Sequence, residues 1–510
     1  MSRFKRKVPK SGGRKLIIMA NNLQSPKKLL LVQWNINIDE VPIDQFDHYI
    51  AVENFLSDED APPPDADNLE KVHGYLEAFH HLCEVEDWEK SGQILLTRFD
   101  PPTNQELHEQ LGTWGYYGEQ ANLYNILLDK LNPSLNNIFV NGLGKLYHIF
   151  GDNAKAIEYC QQSFLTAQGL GNYQQEGVAL LDMGNIYKTL SSYNKAMQYQ
   201  HKSLLIMRKI GNRQGEGAAL GNLGSIYGIL GDYNQAIEYQ KQRLAITQEI
   251  GDCRGQGQAL GELGIAYYEI GDYNQAIEYQ KESLIIAREI NHCQDEAAAL
   301  ASLGLIYKDM GFYDRAIDYY QQTVVITRKI GGRHLEGGTL ANLGNACYHL
   351  GAYHQAIYYQ KQSLNIMQEI GDCQGEGATL GNLGNTCYAL KDYEQAIYYY
   401  QQSLVIVQKI GARNAEARCL CNLGASLIQL DRDLKALECL QASQEISIQI
   451  HNSYTQVKSL KNLAKIYFKL GYYDLAIERC DRALSIATEL GIPLAQECQE
   501  LKEKLLSEQT

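Results

Sequence analysis

Asparagine side chains recur at two fixed positions of a repeating pattern, and their amide groups can both donate and accept hydrogen bonds. Asn342 and Asn345 belong to a helical pattern whose apolar stripe runs from Leu340 to Cys347. At about 100° per residue they lie about 160–200° from that stripe, so we predict that they face away from the partner helix. Asn185, Asn222, Asn382, Asn385, Asn422 and Asn462 share these two positions. The pattern predicts a ladder of amides one repeat apart; a solvated face copied by duplication is the alternative interpretation.

Four cations follow on the same flank near the C-terminal end of the pattern. They are Arg418, Lys458, Lys461 and Lys465. Side chains of this kind bind carboxylates through charge-assisted hydrogen bonds. We therefore predict that this end receives an acidic segment or a free C-terminal carboxylate, with a solvated, charged end of the array as the alternative.

Motifs for catalysis or metal binding are missing from the sequence. The glycines at 215–217 and 255–257 have no preceding strand and no Walker lysine, and they recur with the repeat, which favours a packing role. The histidines, among them His80 and His349, fall into no H-E-x-x-H pattern. The twelve cysteines include no C-x-x-C pair, which indicates small packed residues of a reducing compartment. The sequence predicts no enzyme activity, no cofactor and no metal.

Charge is distributed unevenly along the 510 residues. The first 28 residues carry nine Lys or Arg and no acid, whereas the remainder has 37 basic and 60 acidic residues. An acidic body argues against nucleic-acid binding, and no apolar run approaches the ~18 residues of a membrane span. The apolar stretch 16–20 is too short for a secretory signal. These features predict a cytoplasmic protein.

A forty-residue period positions all of these side chains. Leucines recur at this interval from 180 to 460, and alanines recur from 156 to 476. Each period reads as two helices separated by a Gly-Asp turn, as at Gly231 and Gly251. Gly224 lies inside a first helix, where glycine costs about 1 kcal/mol relative to alanine. We predict that it allows close approach to the second helix at Ala236.

The residues within one period resemble the tetratricopeptide repeat (TPR). The resemblance rests on Asn222–Tyr227, Gly231–Tyr233 and Ala236–Tyr239 and covers about residues 137–490. The long period is similar to that of cyanobacterial TPR proteins and of Pins-type and kinesin light chain-type scaffolds. The repeats are expected near 137–170, 177–210, 217–250, 257–290, 297–330, 337–370, 377–410, 417–450 and 457–490.

This resemblance implies an all-α fold, a right-handed superhelical solenoid of about nine helix-turn-helix repeats. It also implies that the asparagine flank lines a concave groove, where amides bind the backbone of an extended protein or peptide ligand. The basic end resembles the carboxylate clamp of chaperone-binding TPR domains without matching its positions. The implied function is that of a scaffold or adaptor for a partner that is possibly acidic.

The remaining segments are predicted from composition and spacing. We expect a disordered basic leader and an acidic, proline-containing linker over 1–68, a helical region with decayed repeats over 69–131, and a capping helix over 493–507. The turn with Asp431 and Asp433 is the most divergent, and we expect flexibility there. Trp114–Tyr117 resembles the junction before such repeats in signal-transducing NTPases, which suggests an alternative function as the sensor or effector arm of a STAND-like system whose catalytic domain is on another chain.

Overall fold

The computed structural model describes residues 26–37, 40–57, 66–98 and 105–509. Helices make up its regular structure. The first six are α1 (Pro26–Trp34), α2 (Phe46–Ser57), α3 (Asn68–Glu84), α4 (Trp88–Leu95), α5 (Leu107–Thr113) and α6 (Tyr117–Leu127). The prediction of an all-α fold is confirmed.

Nine helical hairpins and a final helix follow within the described residues. In chain order the hairpins are α7 (Pro133–Ile149) with α8 (Asn153–Leu170), α9 (Tyr173–Thr189) with α10 (Tyr193–Ile210), α11 (Arg213–Ile229) with α12 (Tyr233–Ile250), α13 (Cys253–Glu269) with α14 (Tyr273–Glu289), α15 (Cys293–Asp309) with α16 (Tyr313–Ile330), α17 (Arg333–His349) with α18 (Tyr353–Ile370), α19 (Cys373–Ala389) with α20 (Tyr393–Lys409), α21 (Arg413–Gln429) with α22 (Asp433–Gln449), and α23 (Ser453–Lys469) with α24 (Tyr473–Glu489). The last helix is α25 (Leu494–Gln509).

The chain forms two compact units, Met1–Ala219 and Leu220–Thr510. The first has an apolar core around Phe79, Tyr124 and Phe139. The second has a series of smaller cores between successive helices, because a single hairpin cannot bury its apolar stripe alone. None of the described helices combines the length and apolar character needed to cross a bilayer.

The turns between helices follow from glycine and aspartate. Gly251 ends α12 with a left-handed φ of 72°, and the Asp252 side chain then accepts a hydrogen bond of 2.9 Å from the Gly255 amide at the start of α13. In the divergent turn, Asp431 adopts a φ of 56° in place of glycine. The expected flexibility of that turn remains a prediction.

In eight of the nine hairpins, all except α23–α24, a glycine inside the first helix makes room for a side chain of the second helix. A Cβ atom on Gly224 would lie 2.8 Å from Nε2 of Gln240, which donates a 3.1 Å hydrogen bond to the Gly221 carbonyl. The three atoms nearest to this Cβ belong to Gln240. The predicted approach to the backbone at the alanine of the second helix is present at the equivalent Gly344, whose Cβ would lie 3.2 Å from the Ala356 carbonyl oxygen. The same pair of positions holds Gly184 with Gln200, Gly264 with Gln280 and Gly344 with Gln360.

Part of the segment predicted to be disordered is helical. Residues 26–34 and 46–57 form α1 and α2, whose Leu30, Val52 and Leu56 are buried in the first unit's core. The sequence prediction failed because these few apolar residues are covered only by tertiary packing. The remainder of the leader, 1–25, and the proline run within 58–65 lie outside the described residues.

Candidate functional site

The first helices of the last three hairpins line a cavity of about 560 Å³ in the second unit. These helices are α19, α21 and α23, and consecutive ones are neighbours in the fold. A forty-residue period places equivalent positions side by side, so side chains far apart in sequence converge. The cavity brings together seven predicted site residues, namely Asn385, Asn422, Asn462, Arg418, Lys458, Lys461 and Lys465.

The four cations are held in different ways. The Lys461 ammonium donates to Glu497 of α25 at 2.5 Å, and the Lys458 ammonium lies 4.7 Å from the centre of the Tyr454 ring. Arg418, Lys458 and Lys465 have no ion-pair partner within 4.0 Å among the described residues. Three of the four positive charges are therefore available to an anionic ligand.

Lys465 has the most perturbed environment of these cations. Although it is an exposed residue, it lies in the hollow of the cavity, where the surrounding protein displaces part of its hydration. This burial lowers the pKa of Lys465; Lys461 lowers it further, and Glu497 acts in the opposite direction. A bound anion would relieve the repulsion between the two lysines.

The amides within the cavity are already connected to one another. Tyr400 of α20 donates a 2.7 Å hydrogen bond to Oδ1 of Asn385, and Asn422 donates to the same oxygen at 3.0 Å. Asn385 therefore contacts the second helix of its own hairpin, which corrects the prediction that it faces away. Asn185 makes the equivalent contact, because it accepts a 3.2 Å hydrogen bond from Gln200.

The other predicted amides do not line the cavity. Asn222, Asn342, Asn345 and Asn382 are half-buried, and within the described part of the chain their side chains have no hydrogen-bond partner. We call the surface of α17, α19, α21 and α23 that carries Asn342, Asn382, Asn422 and Asn462 the inner face. Its unpaired amides retain their full capacity to bind a ligand.

Four aromatic residues of the cavity were not identified from the sequence, namely Tyr348, Tyr388, Tyr400 and Tyr454. Tyr388 and Tyr400 lie beside Asn385, and Tyr454 lies beside Lys458. Tyr400 occupies a position that is glutamine in several other repeats, as at Gln240. Such departures from the repeat pattern could have pointed to this residue in the sequence.

The first unit contains a second polar cluster at the equivalent repeat positions. Asp182, forty residues before Asn222, accepts a 2.7 Å hydrogen bond from Asn141, and its carboxylate lies 3.4 Å from the Lys145 ammonium. Asp182 is buried, and its charge raises the pKa of Lys145. This cluster was also missed, although the period alone places both charged residues at ladder positions.

The thiols of the cavity are not activated. Burial raises the pKa of both Cys419 and Cys421, which keeps them protonated at neutral pH. Among the described residues no three His, Cys, Asp or Glu side chains come together as a metal-binding group. The geometry thus offers hydrogen bonds and positive charge to a ligand.

Two family models match the hairpins that carry these side chains, and both describe a tetratricopeptide repeat. One matches residues 176–249, 215–289, 295–369 and 375–449, and the other matches 459–494, which together make up more than half of the chain. The chain belongs to the tetratricopeptide repeat family. No curated protein matches the sequence significantly.

Several solved structures are similar to this chain at low sequence identity. A Signal Transduction ATPase with Numerous Domains (STAND) protein with a tetratricopeptide repeat sensor, from Pyrococcus horikoshii, is 15% identical with a TM-score of 0.53, over 85% of this chain and 65% of that chain. BtubC (BKLC) from P. vanneervenii is 20% identical with a TM-score of 0.39, over 43% of this chain and 90% of that one. The TPR-like repeats of a putative kinesin light chain from Podosopora anserina are 19% identical with a TM-score of 0.34, over 38% and 95%.

Some features of this chain are shared by its repeats, and others are confined to the C-terminal repeats. The hairpins and the capped turns recur from repeat to repeat. Four cations of α21 and α23 and the ring of Tyr454 converge on one cavity. This convergence distinguishes the C-terminal repeats.

Proposed function

We propose that this TPR protein is a scaffold or adaptor that binds an extended, acidic polypeptide along the inner face. The observation that carries the proposal is the convergence of four cations in one cavity, three of them without an ion-pair partner among the described residues. Opposite charge steers a ligand to such a site, and charge-assisted hydrogen bonds orient it there.

The half-buried amides outside the cavity support an extended ligand. Asn342, Asn345 and Asn382 carry donors and acceptors that the described residues leave unpaired, and an extended backbone offers complementary groups at regular intervals. The basic cavity would then set the direction of the bound segment. We assign no catalytic step, no cofactor and no nucleic-acid ligand to this surface, and we place the protein in the cytoplasm.

The experiment is a selection of short random peptides displayed on phage against the intact protein. We expect the selected sequences to be enriched in Asp and Glu. The Kd of a selected, labelled peptide is then measured by fluorescence anisotropy for the wild type, for Lys465→Met and for the control Lys409→Met, whose lysine lies outside the cavity. Loss of one charge-assisted contact should weaken binding about tenfold in Lys465→Met.

Lys465→Met removes a lysine that is repelled by its neighbour, so the variant should fold, and circular dichroism checks this. Unchanged binding in Lys409→Met would assign the effect to the cavity. Selected peptides without acidic enrichment, or equal affinities for both variants, would contradict the proposal.

A second candidate function is the sensor or effector arm of a STAND-like signalling system, with the NTPase on another chain. Its support is the segment Trp114–Tyr117, which resembles the junction before the repeats in such systems. Affinity capture from a lysate followed by mass spectrometry separates the two candidates. An NTPase as the dominant specific partner would favour the second, and partners without NTPase domains would argue against it.

A further inference from the structure

One acidic side chain of the protein itself already lies against the basic cavity. Glu497 of α25 places Oε2 2.5 Å from the Lys461 ammonium. The Lys461 side chain is only 15% exposed, whereas that of Glu497 is 55% exposed. A carboxylate that reaches in from the solvent side can be displaced without opening the core.

Glu497 is not needed to hold α25 in place. The buried Leu494, Cys498 and Leu505 attach this helix to its neighbours through apolar contacts. A separate ion pair joins Lys502 to Asp481 of α24 at 2.7 Å. Removal of the Glu497 charge should therefore leave α25 docked.

We propose that Glu497 occupies, in the free protein, the place of a carboxylate of the partner, and that Lys461 is the anchoring cation for that carboxylate. The inference rests on the proposed function. A ligand whose single carboxylate is placed at Lys461 would only exchange one partner of that lysine for another, with little net gain. A second carboxylate, reaching Lys465 or Arg418, would add an interaction that Glu497 does not satisfy. The partner is thus a polypeptide with closely spaced carboxylates.

The test uses three labelled peptides with amidated C-termini that differ at two adjacent positions: Glu-Glu, Glu-Gln and Gln-Gln. Their affinities are measured by fluorescence anisotropy on the intact protein. For the wild type we expect Glu-Glu to bind about tenfold more tightly than Glu-Gln, and Glu-Gln to bind about as weakly as Gln-Gln.

The decisive variant is Glu497→Gln, with Glu500→Gln as its control. Glu500 lies on the same helix and carries the same charge, but its hydrogen bond is to Gln496 of α25 and not to a cavity residue. Release of Lys461 from its partly exposed ion pair should tighten the binding of Glu-Gln about fivefold in Glu497→Gln. Glu500→Gln should change it by less than about twofold, because long-range charge effects are screened by salt.

The outcomes separate the role of Glu497 from the proposed function. Tighter binding of Glu-Gln in Glu497→Gln alone supports the inference. If Glu-Glu binds and Lys465→Met weakens it, but Glu497→Gln behaves like Glu500→Gln, the role of Glu497 is overturned while the proposed function stands. If the three peptides bind the wild type equally, both are overturned.

Discussion

At the scale of single residues, two glycines of α17 have opposite surroundings. A Cβ atom on Gly344 would lie 2.6 Å from Cγ of Gln360 and 3.2 Å from the Ala356 carbonyl oxygen. A Cβ atom on Gly338 would meet no atom within 4 Å. The same substitution should therefore have opposite effects at the two positions.

Gly344→Ala should destabilise the protein by about 1–3 kcal/mol through overpacking. Gly338→Ala should stabilise it by up to about 1 kcal/mol, because alanine favours helix without a clash. Urea unfolding followed by circular dichroism measures both midpoints. Equal shifts for the two variants would contradict the packing role of Gly344.

Buried thiols provide a pH-dependent prediction. Burial raises the pKa of Cys347 and Cys387 to about 11, whereas Cys253 and Cys373 are exposed. At pH 8 iodoacetamide should modify the exposed pair much faster, as measured by peptide mass spectrometry. The unfolded thiols ionise near pH ~8.5, so the stability that the two buried thiols contribute is present below that pH and is lost as the pH rises towards about 11. Equal modification rates at pH 8 would refute the buried placement.

Individual site residues were partly predictable. The helical period identified the cations and amides that meet in the cavity, because position within a repeat determines which face a side chain occupies. The contact from Tyr400 to Asn385 was not predictable, because it depends on how the second helix packs. Glu497 was also missed, because α25 lies outside the repeat pattern.

At the scale of secondary-structure elements, successive hairpins are joined by arginine-carboxylate clamps. Glu336 near the start of α17 is 2% exposed and accepts hydrogen bonds from Arg328 of α16 at 2.8 Å and from Arg333 at 2.9 Å. Arg333 also contacts Glu369, whose side chain is 60% exposed. The two glutamates share an arginine but differ in burial.

Glu336→Ala should destabilise the α16–α17 junction by about 1–3 kcal/mol, because two cations lose a buried counter-charge while retaining partial access to water. Glu369→Ala should cost less than about 1 kcal/mol, because the ion pair that it removes is exposed. Hydrogen exchange of the α17 amides measures the local effect. Faster exchange in Glu369→Ala than in Glu336→Ala would contradict the clamp.

The hairpins themselves were predictable from the sequence because each carries its own stop and start signals, as Gly251 and Asp252 do. The helices α1 and α2 were not, because their few apolar residues are buried only when α1 packs against α2 and α2 packs against α3. Local chemistry therefore specified the repeated elements, and tertiary packing specified the unrepeated ones.

At the scale of the whole molecule, the repeats share one helical architecture but differ in the polar and charged side chains that they carry. Helical hairpins recur along the repeats, while four cations converge in the cavity of the second unit. The family assignment follows from the recurring hairpins. The proposed ligand follows from the converging cations, which is why an acidic polypeptide is assigned to the C-terminal repeats.

Site-specific photo-crosslinking can locate the proposed acidic polypeptide on the inner face. Asn382 of α19 is replaced by p-benzoylphenylalanine in one variant, and Asn365, exposed on α18, is replaced in another. Each is irradiated with the selected acidic peptide, and the adducts are quantified by mass spectrometry. We predict a peptide adduct at position 382, which excess unlabelled peptide suppresses. We predict little adduct at position 365. Equal adducts at both positions, or an adduct at 365 alone, would contradict this prediction.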